Sequence, residues 1–211
     1  MKDYTEYILE QAQKLLSIDS PSGYTRNVTD WLLETYSEMG YQPQRTTKGG
    51  VLVQISEGTK AVTDPSEGPI LLTGHVDTLG AMVSSITDRG TLKLTPLGGM
   101  NPNNAETENC RIITREGKTY TGTFQLCNAS IHVNGDYNDT KRTYKDMEVL
   151  LDELVSTKEE VKSLGIMTGD IVCFDPRTVI TPSGFIKSRF LDDKLSTAIL
   201  IGYAKYLKDE N

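Results

Sequence analysis

The sequence ILLTGHVD, residues 70–77, gives the first indication of the fold. Its first four residues are apolar or β-branched, which predicts a strand ending just before Gly74. Side chains two positions apart on a strand point to the same side, so we expect His75 and Asp77 to project together from its C-terminal end. Open α/β sheets hold their sites at this edge. A carboxylate bonded to one imidazole nitrogen raises the basicity of the other, which suits a metal ligand. The pattern alone also fits a strand that simply ends in polar residues.

The elements around this stretch predict an α/β layer. Apolar residues at helical spacing predict a first helix that stops before Pro21, and Gly40 has the chemistry of a helix C-cap. The predicted elements are helices over 4–16 and 24–39, strands over 51–55 and 70–73, and a polar linker over 56–69.

The texture of the sequence changes at Ala81. Short strand-like runs are separated by turn signals such as Asp88-Arg89-Gly90 and Glu116-Gly117-Lys118. The predicted strands are 81–87, 91–94, 111–115, 120–125 and 171–174, and a helical pattern returns over 193–207. This order predicts a β-rich domain inserted into an α/β domain. The expected boundaries are 1–78 and 177–211 for the α/β domain and 79–176 for the insertion.

Composition excludes several classes of function. The 211 residues hold 22 Lys and Arg against 29 Asp and Glu, and this net charge of −7 leaves no basic stripe for nucleic acid. No stretch approaches the roughly 18 apolar residues of a membrane span, and the N-terminus lacks a signal peptide, so we expect a cytoplasmic protein. The three cysteines have no CxxC spacing, so free thiols are expected.

A second constellation opens the last helix, where Asp192 and Asp193 are adjacent. Helix N-termini favour negative charge, so capping accounts for these acids on its own. A carboxylate oriented at a helix start can also bridge two cations through its two oxygens. Both interpretations stay open from the residues alone.

Taken together, these motifs resemble a known family. The sequence GHVD at 74–77 is followed by LGG at 97–99, SLGIMTGD at 163–170 and LDDK at 191–194. In this order they are similar to the cytosolic glutamyl and deblocking aminopeptidases that build tetrahedral (TET) dodecamers, which are dinuclear zinc exopeptidases. The resemblance implies an α/β catalytic domain interrupted by a PDZ-like β domain, used for dimerisation, at 79–176.

The same resemblance implies roles for individual residues. His75 resembles a ligand of one metal, Asp77 the acid that orients this histidine, and Asp192 the carboxylate that bridges both metals. Asp193 is then a supporting residue that caps the helix. The implied cofactors are two divalent ions, zinc first, with cobalt and manganese as alternatives. The implied reaction removes N-terminal residues from peptides through a water activated by both metals.

The family's further ligands and its general base lie in later motifs, a paired Glu-Glu, another acid and a final histidine, for which these 211 residues have no counterpart. The catalytic domain is therefore expected to be incomplete at its C-terminus and this chain inactive by itself. Two candidates for substitution fail: Glu159-Glu160 fits a capping box that starts at Ser156, and His132 lies in the β block.

Alternative functions stay open. One is a catalytically inactive module for oligomerisation or regulation, and another is a different dinuclear-metal deacylase. The cellulase label given to some relatives needs two spaced catalytic carboxylates, which nothing in the sequence nominates.

Overall fold

The computed structural model describes residues 3–55 and 70–210, so the linker predicted over 56–69 lies outside the described residues. The chain divides into two compact units. We call Met1–Asp77 with Pro176–Asn211 the helical unit, and Thr78–Asp175 the barrel unit.

The helices are α1 (Thr5–Ser17), α2 (Arg26–Glu38), α3 (Lys158–Ser163) and α4 (Leu191–Glu210). The strands are β1 (Gln44–Arg45), β2 (Val51–Leu52), β3 (Gly80–Ile86), β4 (Leu92–Leu97), β5 (Glu108–Ile113), β6 (Thr119–Leu126), β7 (Met147–Leu151), β8 (Ile171–Phe174), β9 (Val179–Ile180) and β10 (Ile186–Lys187). None of the helices in the described part of the chain is long and apolar enough to cross a membrane.

The helical unit is built on α1, α2 and α4. Its apolar residues recur at helical spacing and meet in one cluster that includes Leu15, Val28 and Ile201. Helices α1 and α4 pack so closely at Gly202 that a Cβ at this position would overlap with the side chain of Ile8. The two-stranded hairpins β1–β2 and β9–β10 belong to the same unit.

The predicted helices of this unit are confirmed, and two of its predicted strands are not. Gly40 follows α2 with φ of +82°, the left-handed conformation of a helix C-cap. The strand predicted over 51–55 is limited to β2, and residues 70–73 form no strand in the described part of the chain. Ile70 is 87% exposed, so this apolar run lacks the burial that a sheet strand would give it.

The barrel unit is a closed six-stranded antiparallel barrel in the order β3-β4-β7-β6-β5-β8, and β8 returns to pair with β3. Ala81 lies opposite Val172 in this closing pair. Alternate side chains point inward, and Val83, Ile112 and Phe124 are completely buried. A closed barrel leaves no unpaired strand edge.

Strand β7 is the barrel strand that sequence reasoning missed. It carries a charged residue, Glu148, in the middle of an apolar run, which hides the alternation. The structure accommodates this buried carboxylate because Arg89 donates to both of its oxygens, at 3.2 and 3.1 Å, and the Thr91 hydroxyl donates at 2.9 Å. A buried charge is tolerated when it is paired and hydrogen-bonded in this way.

The turn predictions are confirmed at Gly90 and Gly117, which have φ of +76° and +81°. The capping box is real but begins one residue later than predicted: Thr157 accepts from the Glu160 N–H at 3.3 Å, and Glu160 accepts from the Thr157 N–H at 3.0 Å. All three cysteines are free thiols, as expected.

Candidate metal centre

His75 lies between two carboxylates of the helical unit. Its Nε2 is 3.0 Å from Asp192 Oδ1, and its Nδ1 is 3.3 Å from Asp77 Oδ1 and 3.2 Å from the Asp77 carbonyl oxygen. The structure therefore brings together the three residues that the sequence nominated, although His75 and Asp192 are 117 positions apart. The side chains remain accessible, at 52% exposure for His75 and 94% for Asp192.

The start of α4 places the two acids. Asp192 and Asp193 have non-helical backbone angles, so the regular helix begins after them. Asp193 Oδ2 accepts from the main-chain N–H of His75 at 3.4 Å. This contact joins α4 to the segment that carries His75.

Lys194 anchors the same helix start, and its role was not foreseen. Its ammonium is buried and donates to the carbonyl oxygens of Leu15 at 2.9 Å and Ile18 at 2.6 Å, at the end of α1. The Leu15 carbonyl also accepts from the Ile18 N–H at 3.2 Å, and a cation is favourable at a helix C-terminus. A lysine directly after two acids gives only a weak signal for such a contact.

Two serines after α1 hold the other side of the site, and sequence reasoning gave them no role. Ser22 Oγ donates to Asp77 Oδ2 at 2.6 Å, and Ser20 Oγ donates to the carbonyl of Val76 at 2.7 Å. Asp77 is thus held by Ser22 through one oxygen and faces His75 with the other. Such outer contacts fix the orientation of a ligating histidine.

Gly74 is required by the close approach of this segment to α4. A Cβ at this position would lie 2.9 Å from Thr197 Oγ1 and 3.4 Å from Asp193 Oδ2. The glycine therefore lets His75 sit directly against the turn of α4 that carries the acids.

The two carboxylates change the titration of the histidine. Burial by itself lowers the pKa of His75, but the hydrogen bonds to Asp192 and to the Asp77 carbonyl, with the charges of both carboxylates, raise that pKa above its ordinary value. Both ring nitrogens face oxygen acceptors, which favours the imidazolium form.

The donor types suit a divalent metal, and their number is small. Imidazole nitrogen and carboxylate oxygen are ligands that zinc, cobalt and manganese share. Asp77 lies on the opposite side of the ring from Asp192, so it is a partner of His75 rather than a further donor. Within residues 3–55 and 70–210, no group of three or more His, Cys, Asp or Glu side chains is arranged to hold a metal ion. His75 and Asp192 fit part of a ligand set, and a two-metal centre needs more donors.

The other candidate residues lie elsewhere. His132 is exposed in the connection between β6 and β7, and Glu160 is engaged in the capping box of α3. Both belong to the barrel unit, whereas His75 and Asp192 belong to the helical unit.

Comparison with known proteins places the chain in a family. The M42 glutamyl aminopeptidase family matches residues 58–211. A Bacillus subtilis (strain 168) protein named "Putative aminopeptidase YhfE" is 41% identical over 203 residues, which cover 96% of this chain and 57% of that protein. The chain therefore belongs to the M42 glutamyl aminopeptidase family.

Solved structures agree on the fold. Aminopeptidase APDkam598 from the archaeon Desulfurococcus kamchatkensis matches with a TM-score of 0.82 and 24% identity, over 97% of this chain and 53% of that one. The Pyrococcus horikoshii TET1 peptidase, which can assemble into a tetrahedron or a large octahedral shell, matches with a TM-score of 0.79 and 21% identity, over 96% and 57%. The chain spans a little over half the length of the proteins that it matches.

Proposed function

We propose that this chain is the part of a metal-dependent aminopeptidase that supplies His75 and Asp192 as ligands to a two-metal centre. The observation that carries the proposal is an accessible imidazole held between two carboxylates on a chain of the M42 family. The proposed substrates are peptides with a free N-terminus, and zinc is the first candidate metal, followed by cobalt and manganese.

Each residue of the site has a distinct part in this proposal. Divalent ions, when bound, polarise the scissile carbonyl and supply an activated water. Asp77 accepts from the Nδ1 side of His75, which leaves Nε2 directed at Asp192 and available for ligation. Ser22 holds Asp77 in this orientation, and Lys194 and Asp193 fix the start of the helix that presents Asp192.

Hydrolysis needs groups beyond these. Two donors do not complete a centre that binds two metals, and the one Glu-Glu pair is used in part for helix capping. We therefore expect the 211-residue chain by itself to leave aminoacyl-anilides uncleaved, with or without added zinc or cobalt.

Metal binding tests the ligand assignment directly. Cobalt(II) is titrated into the chain and its visible absorption is followed, for the unchanged protein and for His75→Gln and Asp192→Asn. We expect each variant to bind cobalt at least about tenfold more weakly, since each removes one donor. The matched controls are His132→Gln, which alters the other histidine, and Asp139→Asn, which alters an exposed acid of the barrel unit. Equal affinities for all five proteins would overturn the assignment.

Complementation tests the reaction. The chain is co-expressed with the segment of the Bacillus subtilis relative that lies beyond the matched region, and leucine and glutamate anilides are offered. We expect turnover that needs both polypeptides and a divalent metal, and that disappears with His75→Gln. A complex that binds metal but cleaves only acylated amines would favour the deacylase alternative instead.

We also propose that the predicted inserted domain, residues 79–176, mediates self-association in a PDZ-like manner. The barrel unit exposes the apolar side chains of Val133, Leu150 and Leu154, whose burial between copies would be favourable. Sedimentation velocity over a hundredfold concentration range tests this proposal, with Leu154→Asp expected to shift the distribution towards monomer. A chain that is monomeric at every concentration would overturn it.

A further inference from the structure

A thiol and an amine are in contact on the barrel unit. Lys93 Nζ lies 2.7 Å from Cys127 Sγ. Lys93 is the second residue of β4, and Cys127 directly follows β6. In the barrel these two strands are separated by β7, so the two side chains meet across an intervening strand.

The intervening segment holds both partners in place. Lys93 Nζ donates to the carbonyl oxygens of Lys145 at 2.7 Å and Met147 at 3.0 Å, and the Cys127 N–H donates to the Asp146 carbonyl at 2.8 Å. An ammonium has three N–H donors. The two carbonyls accept two of these donors, and the third is directed at the sulfur. The two carbonyl contacts therefore hold the ammonium in place beside Cys127.

Cys127 also differs from the other two thiols. Cys110 is buried and donates to the Gly122 carbonyl at 3.3 Å, and burial raises the pKa of this thiol to about 12. Cys173 is buried as well, whereas Cys127 is half-buried. The thiolate is the reactive form of cysteine, and a neighbouring cation stabilises a negative sulfur.

We propose that Lys93 and Cys127 form a redox site at which hydrogen peroxide drives a reversible covalent link between the two side chains. The Cys127 thiolate attacks one peroxide oxygen, so the O–O bond breaks and sulfenic acid forms while sulfur is oxidised by two electrons. The hydroxide that leaves takes a proton from the Lys93 ammonium and becomes water. The neutral amine then attacks the sulfenic sulfur, an N–S bond forms, the S–O bond breaks and a second water leaves.

The contact distance suits the second step. Reacting atoms held at about 3 Å in a fixed orientation react much faster than free partners, and the nitrogen and sulfur already lie at 2.7 Å. The product joins β4 to the end of β6 across β7, which closes a covalent loop from residue 93 to residue 127. Attack by an external thiol on the sulfur breaks the N–S bond, frees the amine and leaves a mixed disulfide on Cys127. A second external thiol then restores the cysteine, and the two external thiols leave as a disulfide.

The experiment exposes the reduced chain to hydrogen peroxide and follows its intact mass and its tryptic peptides. We expect a species that has lost two hydrogen atoms, in which trypsin no longer cleaves after Lys93 and the peptides of Lys93 and Cys127 remain joined. Dithiothreitol should return the original mass. The thermal midpoint of the barrel unit should rise in the linked form and fall back on reduction, since the link restricts the unfolded chain.

Matched variants separate the link from simple oxidation. Lys93→Arg keeps a cation at the contact but removes the nucleophilic amine, so its sulfenic acid should persist and react with dimedone. Cys127→Ser should give no product, and Cys110→Ser should behave as the unchanged chain does. Circular dichroism of each variant shows that the barrel is intact. A product that keeps the peroxide oxygen, or equal dimedone labelling of the unchanged chain and Lys93→Arg, would overturn the proposal.

Discussion

The barrel unit and the helical unit differ in how their apolar cores are enclosed. The barrel closes on itself through the pairing of β8 with β3 and encloses a core that includes Val83 and Phe124. The helical unit has its own core between α1, α2 and α4, yet Ile70 and Leu71 are mostly exposed directly before His75. The closed barrel core and the candidate metal ligands therefore belong to different units of the chain.

The largest effect is expected in the barrel core. Phe124 is completely buried, with its ring centroid 5.5 Å from that of Phe174, so Phe124→Ala should reduce the free energy of unfolding of the barrel unit by roughly 3–5 kcal/mol. Hydrogen–deuterium exchange resolved by peptide gives the stability of each unit separately. If the loss spreads equally into α1 and α4, the two units do not act independently and the comparison fails.

The next largest effect is expected in the helical unit, at the buried ammonium of Lys194. Lys194→Met leaves the carbonyls of Leu15 and Ile18 without this donor and should cost about 2–3 kcal/mol. Urea unfolding followed by the fluorescence of Trp31, the single tryptophan, reports on this unit.

The matched control for this variant is Lys205→Met, which removes an exposed ion pair with Asp209 on the same helix. It should change the free energy of unfolding by less than about 1 kcal/mol. Equal effects of the two substitutions would show that the buried contact has no special weight.

Alkaline pH should destabilise the two units from different starting pH values. Burial raises the pKa of Cys110 in the barrel unit to about 12, and burial with the neighbouring Tyr7 and Tyr41 raises that of Tyr36 in the helical unit to about 12. Each group keeps its proton in the folded chain after the unfolded chain has lost it. Stability is therefore complete below the unfolded pKa and falls above it by about 1.4 kcal/mol per pH unit.

The decline should begin near pH 9 for the thiol and near pH 10 for the phenol, because these are their ordinary values. Hydrogen–deuterium exchange resolved by unit measures this loss of stability across the pH range. Cys110→Ala and Tyr36→Phe should each remove the slope of their own unit. A slope that survives both substitutions would mean that other groups govern the alkaline loss.

The smallest effect is expected at Ile70, because its side chain is 87% exposed. Ile70→Ser should change the Trp31-monitored stability by no more than about 0.5 kcal/mol, as exposed substitutions usually do. A loss above about 2 kcal/mol would mean that the side chain is covered in solution, and the contrast between the units would then be smaller than the structure indicates.

Much of the fold could be predicted because its signals are local. The spacing of Leu15 and Leu16 and the glycine at position 40 define helix periods and ends, and Gly90 and Gly117 define hairpin turns. The errors arose where tertiary contacts determine whether a segment forms a strand. Residues 70–73 have the composition of a strand but no ladder partner in the described part of the chain. Strand β7 was hidden by the buried Glu148, which its contacts with Arg89 and Thr91 explain.

The candidate site was predictable in part for the same reason. His75, Asp77 and Asp192 stood out by residue type and motif, and the structure brings them together. Ser22 and Lys194 could not be found from the sequence, since a serine in a turn and a lysine on a helix are ordinary. Their importance comes from contacts 55 and 179 residues away along the chain.

The closing pair of the barrel has a consequence for protein engineering. Because β3 and β8 are its first and last strands and lie side by side, with Ala81 opposite Val172, the chain enters and leaves the barrel unit at neighbouring points. A segment whose two ends are adjacent can be excised and bridged by a short linker, or replaced by another domain with adjacent termini. The barrel unit can in this sense be exchanged for a domain with new binding properties. The chain would still leave the helical unit after Asp77 and re-enter it at Pro176.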